Sequence, residues 1–128
     1  MAETVSKPNG TGLLRIYKAW QCSVLGFKAA WKNEAAFRQE LVLVVVMAPF
    51  ALLLSHQPVE LAMLWSSLVF VLFAEAANSA IEAVVDRIGL ELNELSGRAK
   101  DLGSLMVLFS ILMVVIIWGA VFYQNFIM

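Results

Sequence analysis

Charge is scarce in this sequence. Aspartate, glutamate, lysine and arginine make up 15% of its 128 residues, where a soluble domain carries about a quarter. Cysteine occurs once, at Cys22, which excludes an internal disulfide and leaves the redox compartment open. The single histidine, His56, lies in the short polar turn SHQPVE and reads as a surface residue. The first thirteen residues, MAETVSKPNGTGL, lack the apolar centre of a cleavable signal. There is no GxxxxGKS or GxxxxGKT phosphate loop, because Gly97 and Gly103 are wrongly spaced and no lysine follows them. A kinase-type glycine loop and a DFG triplet are absent as well.

What fills the chain instead is apolar: 61% of residues are hydrophobic, and mean hydropathy is +0.80. Three blocks account for this. Residues 41–54 are interrupted only by Pro49, residues 61–80 hold one charge, Glu75, and residues 102–123 hold none. A hydrocarbon core of ~30 Å takes about 20 helical residues, so the second and third blocks span it. The first reaches span length if the helix begins near Ala35, with Arg38 and Glu40 at the interface. The expected class is an all-α membrane protein in a single domain, with membrane helices at 35–54, 61–88 and 99–123. Gly89 is the expected stop of the second, and Asn93, Ser96 and Gly97 are ordinary residues for starting the third.

Residues 1–12, with Pro8, Gly10 and Gly12, read as a loose tail. After it, Leu13, Tyr17, Trp20, Val24, Phe27 and Trp31 recur at alternating steps of four and three. They form one stripe about 80° wide, with Arg15, Lys18, Gln21, Cys22, Lys28 and Lys32 around the rest of the circumference. In a chain with three spans, the pattern over 13–32 predicts a helix lying in the headgroup plane rather than a soluble one.

The second span carries the anomaly. In EAANSAIEAVVDRIG (75–89), an apolar helix acquires Glu75, Asn78, Ser79, Glu82 and Asp86 within twelve positions. With Glu75 at zero on the helical wheel, the other four fall between about −60° and +40°, on one face. Glu75 and Glu82 are about 10.5 Å apart along the axis. Ala76, Ala77, Ala80 and Ala83 keep the segment slim for close helix approach. The acids serve either to bind neighbouring helices together or to do chemistry. For Asp86, beside Arg87 and near water, neither reading is preferred. A carboxylate as deep as Glu75 costs several kcal/mol unless neutralised or paired, which favours function there. NEAAFRQE (33–40) brings Glu34, Arg38, Gln39 and Glu40 to the same membrane edge, and ELNELSGRAKD (91–101) brings Arg98, Lys100 and Asp101. With the third helix starting near residue 99, its free N–H groups would lie beside Lys100 as a cradle for a polyphosphate. Acids for a divalent ion, a lysine for phosphate and a base at membrane depth together suggest phosphoryl transfer to a lipid headgroup.

AAWKNEAAFRQE (29–40), EAANSAIEAVVDRIG (75–89) and ELSGRAKDLGS (94–104) closely resemble the three signature segments of the bacterial integral-membrane diacylglycerol kinases. The resemblance runs over nearly the whole chain from residue 13. It implies a homotrimer of three-span protomers in the bacterial inner membrane, each with one surface helix and with active sites shared between subunits. It implies MgATP as donor and phosphatidic acid as product, made from diacylglycerol returning to phospholipid synthesis. By the same resemblance Glu75 is the general base, Asn78 its polar neighbour, and Glu34 and Glu82 the metal-bridging carboxylates that also meet ATP. Arg15, Glu91, Lys100 and Asp101 match nucleotide positions. Cys22, Leu92 and Asn93 fall among them too, Cys22 in place of an aromatic residue and Asn93 in place of a histidine. The lipid-binding surface corresponds to Arg15, Lys28, Ala29, Ala30, Trp31, Ala36, Phe37, Arg38, Gln39, Glu40, Glu75 and Ser104. A related branch phosphorylates undecaprenol, but LSGRAKD here resembles the diacylglycerol branch. From another class, a non-enzymatic oligomer using Glu75 for proton or ion passage would not need Lys100 and Asp101.

Basic residues are completely partitioned. All nine lie at 7–38 or 87–100, and the first loop and the C-terminal tail have none. The positive-inside rule then puts the N-terminus and second loop in the cytoplasm, and the first loop and C-terminus outside. Cysteines introduced as His56→Cys and Gln124→Cys are expected to react with a membrane-impermeant reagent from outside, and Asn93→Cys is not. External labelling at Asn93 would reverse the topology.

Overall fold

A computed structural model describes residues 10–128, so residues 1–9 of the predicted tail, with Lys7, lie outside the described residues. Among those described, the chain is four helices and no strand: α1 (Gly12–Asn33), α2 (Ala35–Leu54), α3 (Pro58–Ile88) and α4 (Glu94–Phe126). The last three are each long and apolar enough to cross a membrane. α2, with twenty residues, is ~30 Å long and matches the hydrocarbon thickness. The thirty-one residues of α3 and thirty-three of α4 give ~46 and ~50 Å, so both extend well beyond it.

Local chemistry explains the boundaries. α3 starts three residues earlier than predicted because Pro58 occupies its first position, where the missing N–H is not needed. α4 starts at Glu94, five residues earlier than predicted. Asn93 caps it, its Oδ1 accepting from the N–H groups of Leu95 (2.9 Å) and Ser96 (3.3 Å). α4 also runs three residues further than predicted, to Phe126. Gly89 follows the last residue of α3 as expected, but its φ of 173° is extended backbone open to any residue. Pro49 inside α2 removes one backbone hydrogen bond. Beside it, the Trp65 indole N–H donates to the Ala48 carbonyl at 3.1 Å, tying α3 to the perturbed turn.

α3 is the central element. Its buried side, from Glu60 through Leu64, Ser67, Leu68, Val71, Ala74 and Glu75 to Asn78, packs chiefly against α4 and secondarily against α2. At the hairpin end, Ala51, Leu64 and Val121 form an apolar core with Leu54, Leu61, Ile117 and Trp118 around it. Midway, the Trp118 indole donates to Ser67 Oγ at 3.2 Å, which in turn donates to the Leu64 carbonyl at 2.7 Å. A polar clasp closes this end. Glu60 accepts from the N–H groups of His56 (2.7 Å) and Gln57 (3.2 Å) and from Asn125 Nδ2 (2.9 Å), which also donates to the Leu54 carbonyl at 2.9 Å. His56 is exposed, with its ring tilted against Phe126.

α1 meets α2 at a one-residue break. Glu34 is at once the C-cap of α1 and the N-cap of α2, with φ −111° and ψ 109°. Phe27 and Phe37 pack edge to face across the corner, and the Arg38 guanidinium donates to the carbonyls of Trp31 (2.8 Å) and Lys32 (3.2 Å). Those are carbonyls the helix itself leaves unpaired at its C-terminal end. The predicted stripe of α1 is exposed at Leu13, Tyr17, Trp20, Phe27 and Trp31, and no residue of the helix is buried.

Candidate functional site

The site lies at the end opposite the Glu60 clasp, where α3 carries its acids out of the apolar layer. Burial falls along this one face from Glu75 outward. Glu75 and Asn78 are buried, Ser79 and Glu82 half-buried, and Asp86 exposed. Glu75 retains only 4% of its surface. Desolvation and the neighbouring carboxylates of Glu82 and Glu34 are its electrostatic surroundings, and Glu75 in turn acts on Glu40. Glu34 at the α1–α2 break, Glu40 on α2 and Glu82 on α3 thus lie within electrostatic reach of Glu75. Like charges so arranged repel one another unless a proton or cation joins them.

Asn78 organises the seam between α3 and α4. Its Nδ2 donates to Glu82 Oε1 at 3.1 Å, one helical turn along the same face. Its Oδ1 is buried without a partner, as are Glu40 Oε2 and Ser79 Oγ. Gly103 of α4 is what lets Asn78 fit. A Cβ at residue 103 would collide with Asn78 Oδ1. Gly103 is therefore a supporting residue that sequence reasoning missed. The available signal was a glycine inside an apolar helix, a usual mark of close helix approach.

Lys100 Nζ lies 2.7 Å from Asp86 Oδ1, the one salt bridge among the described residues. Asp101 beside it is exposed. The expected cradle at Lys100 is not where the sequence suggested. Because α4 begins at Glu94, Lys100 sits well inside the helix, and Asn93 already satisfies two of the free N–H groups. Glu91 and Asn93 instead line a cleft of about 290 Å³ on the α3–α4 turn, with Gly89 and Ser96. Leu92 is fully exposed.

The lipid-side residues divide. Lys28, Ala29, Trp31, Ala36 and Gln39 are exposed, Ala30 is half-buried, and Ser104 is exposed on α4. Phe27, Lys28 and Trp31 line a shallow apolar recess with Leu41. Phe37 is only 4% exposed, and Arg38 caps α1, so both hold the α1–α2 corner rather than face open surface. Glu40 lines an apolar cleft of about 130 Å³ together with Met47, Val71 and Val114. Arg15 is exposed and Cys22 half-buried on α1.

No three His, Cys, Asp or Glu side chains among the described residues form a metal cage. Magnesium does not need one. It is ordinarily held by one or two carboxylates together with substrate phosphates and water. Glu34 and Glu82, both acting on Glu75, are hard oxygen donors of the kind it takes.

A family model for prokaryotic diacylglycerol kinase matches residues 21–122. The chain belongs to the prokaryotic diacylglycerol kinase family. It is 50% identical to the diacylglycerol kinase of Escherichia coli K12 over 118 residues, covering 92% of this chain and 97% of that protein. It is 42% identical to that of Haemophilus influenzae over 113 residues (88% and 96% covered). To that of Helicobacter pylori 26695 it is 33% identical over 123 residues, with 93% of each covered. In this family member, the three segments that carry the acids come together at one end of the bundle.

The close approach at Gly103 yields a direct expectation. Gly103→Ala should displace Asn78 and with it Glu82, lowering lipid kinase turnover by about tenfold or more. Gly119→Ala, on the same helix with open space around its Cβ, should leave turnover unchanged. Equal activity of the two variants would show that Asn78 does not need its place against α4.

Proposed function

We propose that this chain catalyses ATP-dependent phosphorylation of sn-1,2-diacylglycerol to phosphatidic acid at the cytoplasmic edge of the bacterial inner membrane. The observation that carries the reading is the buried Glu75, set in an apolar span with Glu34 and Glu82 acting on it. A carboxylate kept there without a cationic partner among the described residues suits a base more than a structural tie.

In the proposed reaction, the lipid lies along the bundle with its hydroxyl at Glu75. The Glu75 carboxylate takes the hydroxyl proton as the oxygen forms its bond to the γ-phosphorus of ATP, and the bond from that phosphorus to the β–γ bridging oxygen breaks to release ADP. Asn78 holds Glu82 in place through its amide. Glu34 and Glu82 would hold magnesium, which when bound neutralises charge on the phosphates. Lys100 provides the positive charge for the phosphates, and the turn residues Glu91, Leu92 and Asn93, with Asp101, Arg15 and Cys22, face the nucleotide. Lys28–Trp31, Ala36–Glu40 and Ser104 form the lipid side, Phe37 and Arg38 by holding the corner that shapes it. The family resemblance further implies a homotrimer with sites shared between neighbouring subunits. The N-terminus lies in the cytoplasm and the C-terminus in the periplasm, as the basic residues indicate.

The test is purified protein in mixed micelles with radiolabelled ATP and a panel of diacylglycerol and undecaprenol. Labelled phosphatidic acid is expected. Phosphorylation of undecaprenol alone would move the chain to the other branch, and no transfer to either would overturn the reading. In the same assay Glu34→Gln and Glu82→Gln should each raise the magnesium concentration needed. The double variant should be far less than additive, because residues acting as one unit fail together. Additive losses with unchanged magnesium dependence would mean the two acids do not share an ion.

A further inference from the structure

Asp86 is not among the residues assigned a role above, yet it makes the one salt bridge among the described residues. It lies one turn beyond Glu82 on the same face of α3, and Lys100 reaches it from α4 at 2.7 Å. Both side chains are close to half exposed, at 49% and 42%. Exposed pairs of this kind contribute little to stability, so a structural role accounts poorly for it.

The chemistry of lysine suggests a different one. Its ammonium sits on a flexible four-carbon stem and can take many positions. Glu82, one turn away on the same face, also attracts Lys100, although the ammonium pairs with Asp86. An ammonium seated on Glu82 would neutralise an oxygen that Asn78 is already orienting. Pairing one turn further out keeps the charge at the α3–α4 seam and leaves Glu82 free.

We propose that Asp86 is a positioning residue, holding the Lys100 ammonium at the seam, away from Glu82, where a nucleotide phosphate meets it. This rests on the reading of Lys100 as a phosphate contact. Ordering one long side chain before binding is worth about three- to tenfold in affinity.

The test uses full-length protein in detergent with Asp86→Asn, Asp86→Glu, Lys100→Gln and the Asp86→Asn/Lys100→Gln pair. Equilibrium binding of a non-hydrolysable ATP analogue is measured, and KM for ATP is separated from kcat. Asp86→Asn should raise both Kd and KM about three- to tenfold, with kcat changed by less than about twofold. Asp86→Glu should recover most of the loss. The double variant should bind no more weakly than Lys100→Gln alone. If Lys100→Gln weakens binding while Asp86→Asn does not, or if their effects add, the positioning role is wrong and the nucleotide reading stands. Tighter binding by Asp86→Asn would make the pair a latch against the nucleotide and also overturn the proposal. If Lys100→Gln leaves binding unchanged, the phosphate contact and the inference fail together.

Discussion

A carboxylate held away from water is the constraint around which this molecule is arranged. Glu75 sits in the middle of a long apolar helix, where an ionised acid costs several kcal/mol unless something compensates. Placing it there requires α3 to be the central helix, packed on both α2 and α4. It requires small residues along the seam, of which Gly103 is the tightest. The other acids come from different elements, Glu34 and Glu40 from before and within α2 and Glu82 from a later turn of α3, and their charge adds to that cost.

The two ends of the bundle make an internal comparison. Glu60 is also a buried carboxylate on α3, but it accepts three hydrogen bonds and joins the hairpin to the end of α4. Nothing there is left over, and the cluster has the character of a fastening. At the other end, Glu40 Oε2, Asn78 Oδ1 and Ser79 Oγ are buried without partners, and Glu34 and Glu82 add negative charge around Glu75. Buried polar atoms without partners are uncommon in a settled structure and call for an explanation. A site that completes itself only when its substrate binds accounts for them.

Much of the fold was legible because a bilayer leaves few choices. Twenty apolar residues in a row must be helix, and the wheel that placed Glu75 through Asp86 on one face depends only on helical pitch. The depth of Glu75, and the position of Glu82 and Asp86 nearer to water, followed from where the apolar block ends. The start of α4 was harder, because Asn93, Ser96 and Gly97 are all acceptable starts and only the backbone shows that Asn93 caps. That difference moved Lys100 away from the helix end and removed the cradle expected there. Contacts between helices were not legible at all. Phe37 against Phe27, Arg38 on the carbonyls of α1, Asn125 on Glu60 and Lys100 on Asp86 depend on how helices cross. Sequence spacing within one helix carries no information about that.

The central claim is that Glu75 is buried for chemistry and not as a tie between helices. Glu75→Gln keeps shape and hydrogen-bonding capacity but cannot accept a proton at neutral pH. Measured together in the purified variant, turnover should fall by about 10²–10⁴-fold. ATP affinity should change little, and the folded protein should be as resistant to unfolding as the parent or more so, since a costly buried charge has been removed. Near-normal turnover, or activity lost only because the protein unfolds, would contradict the account and leave Glu75 a structural residue.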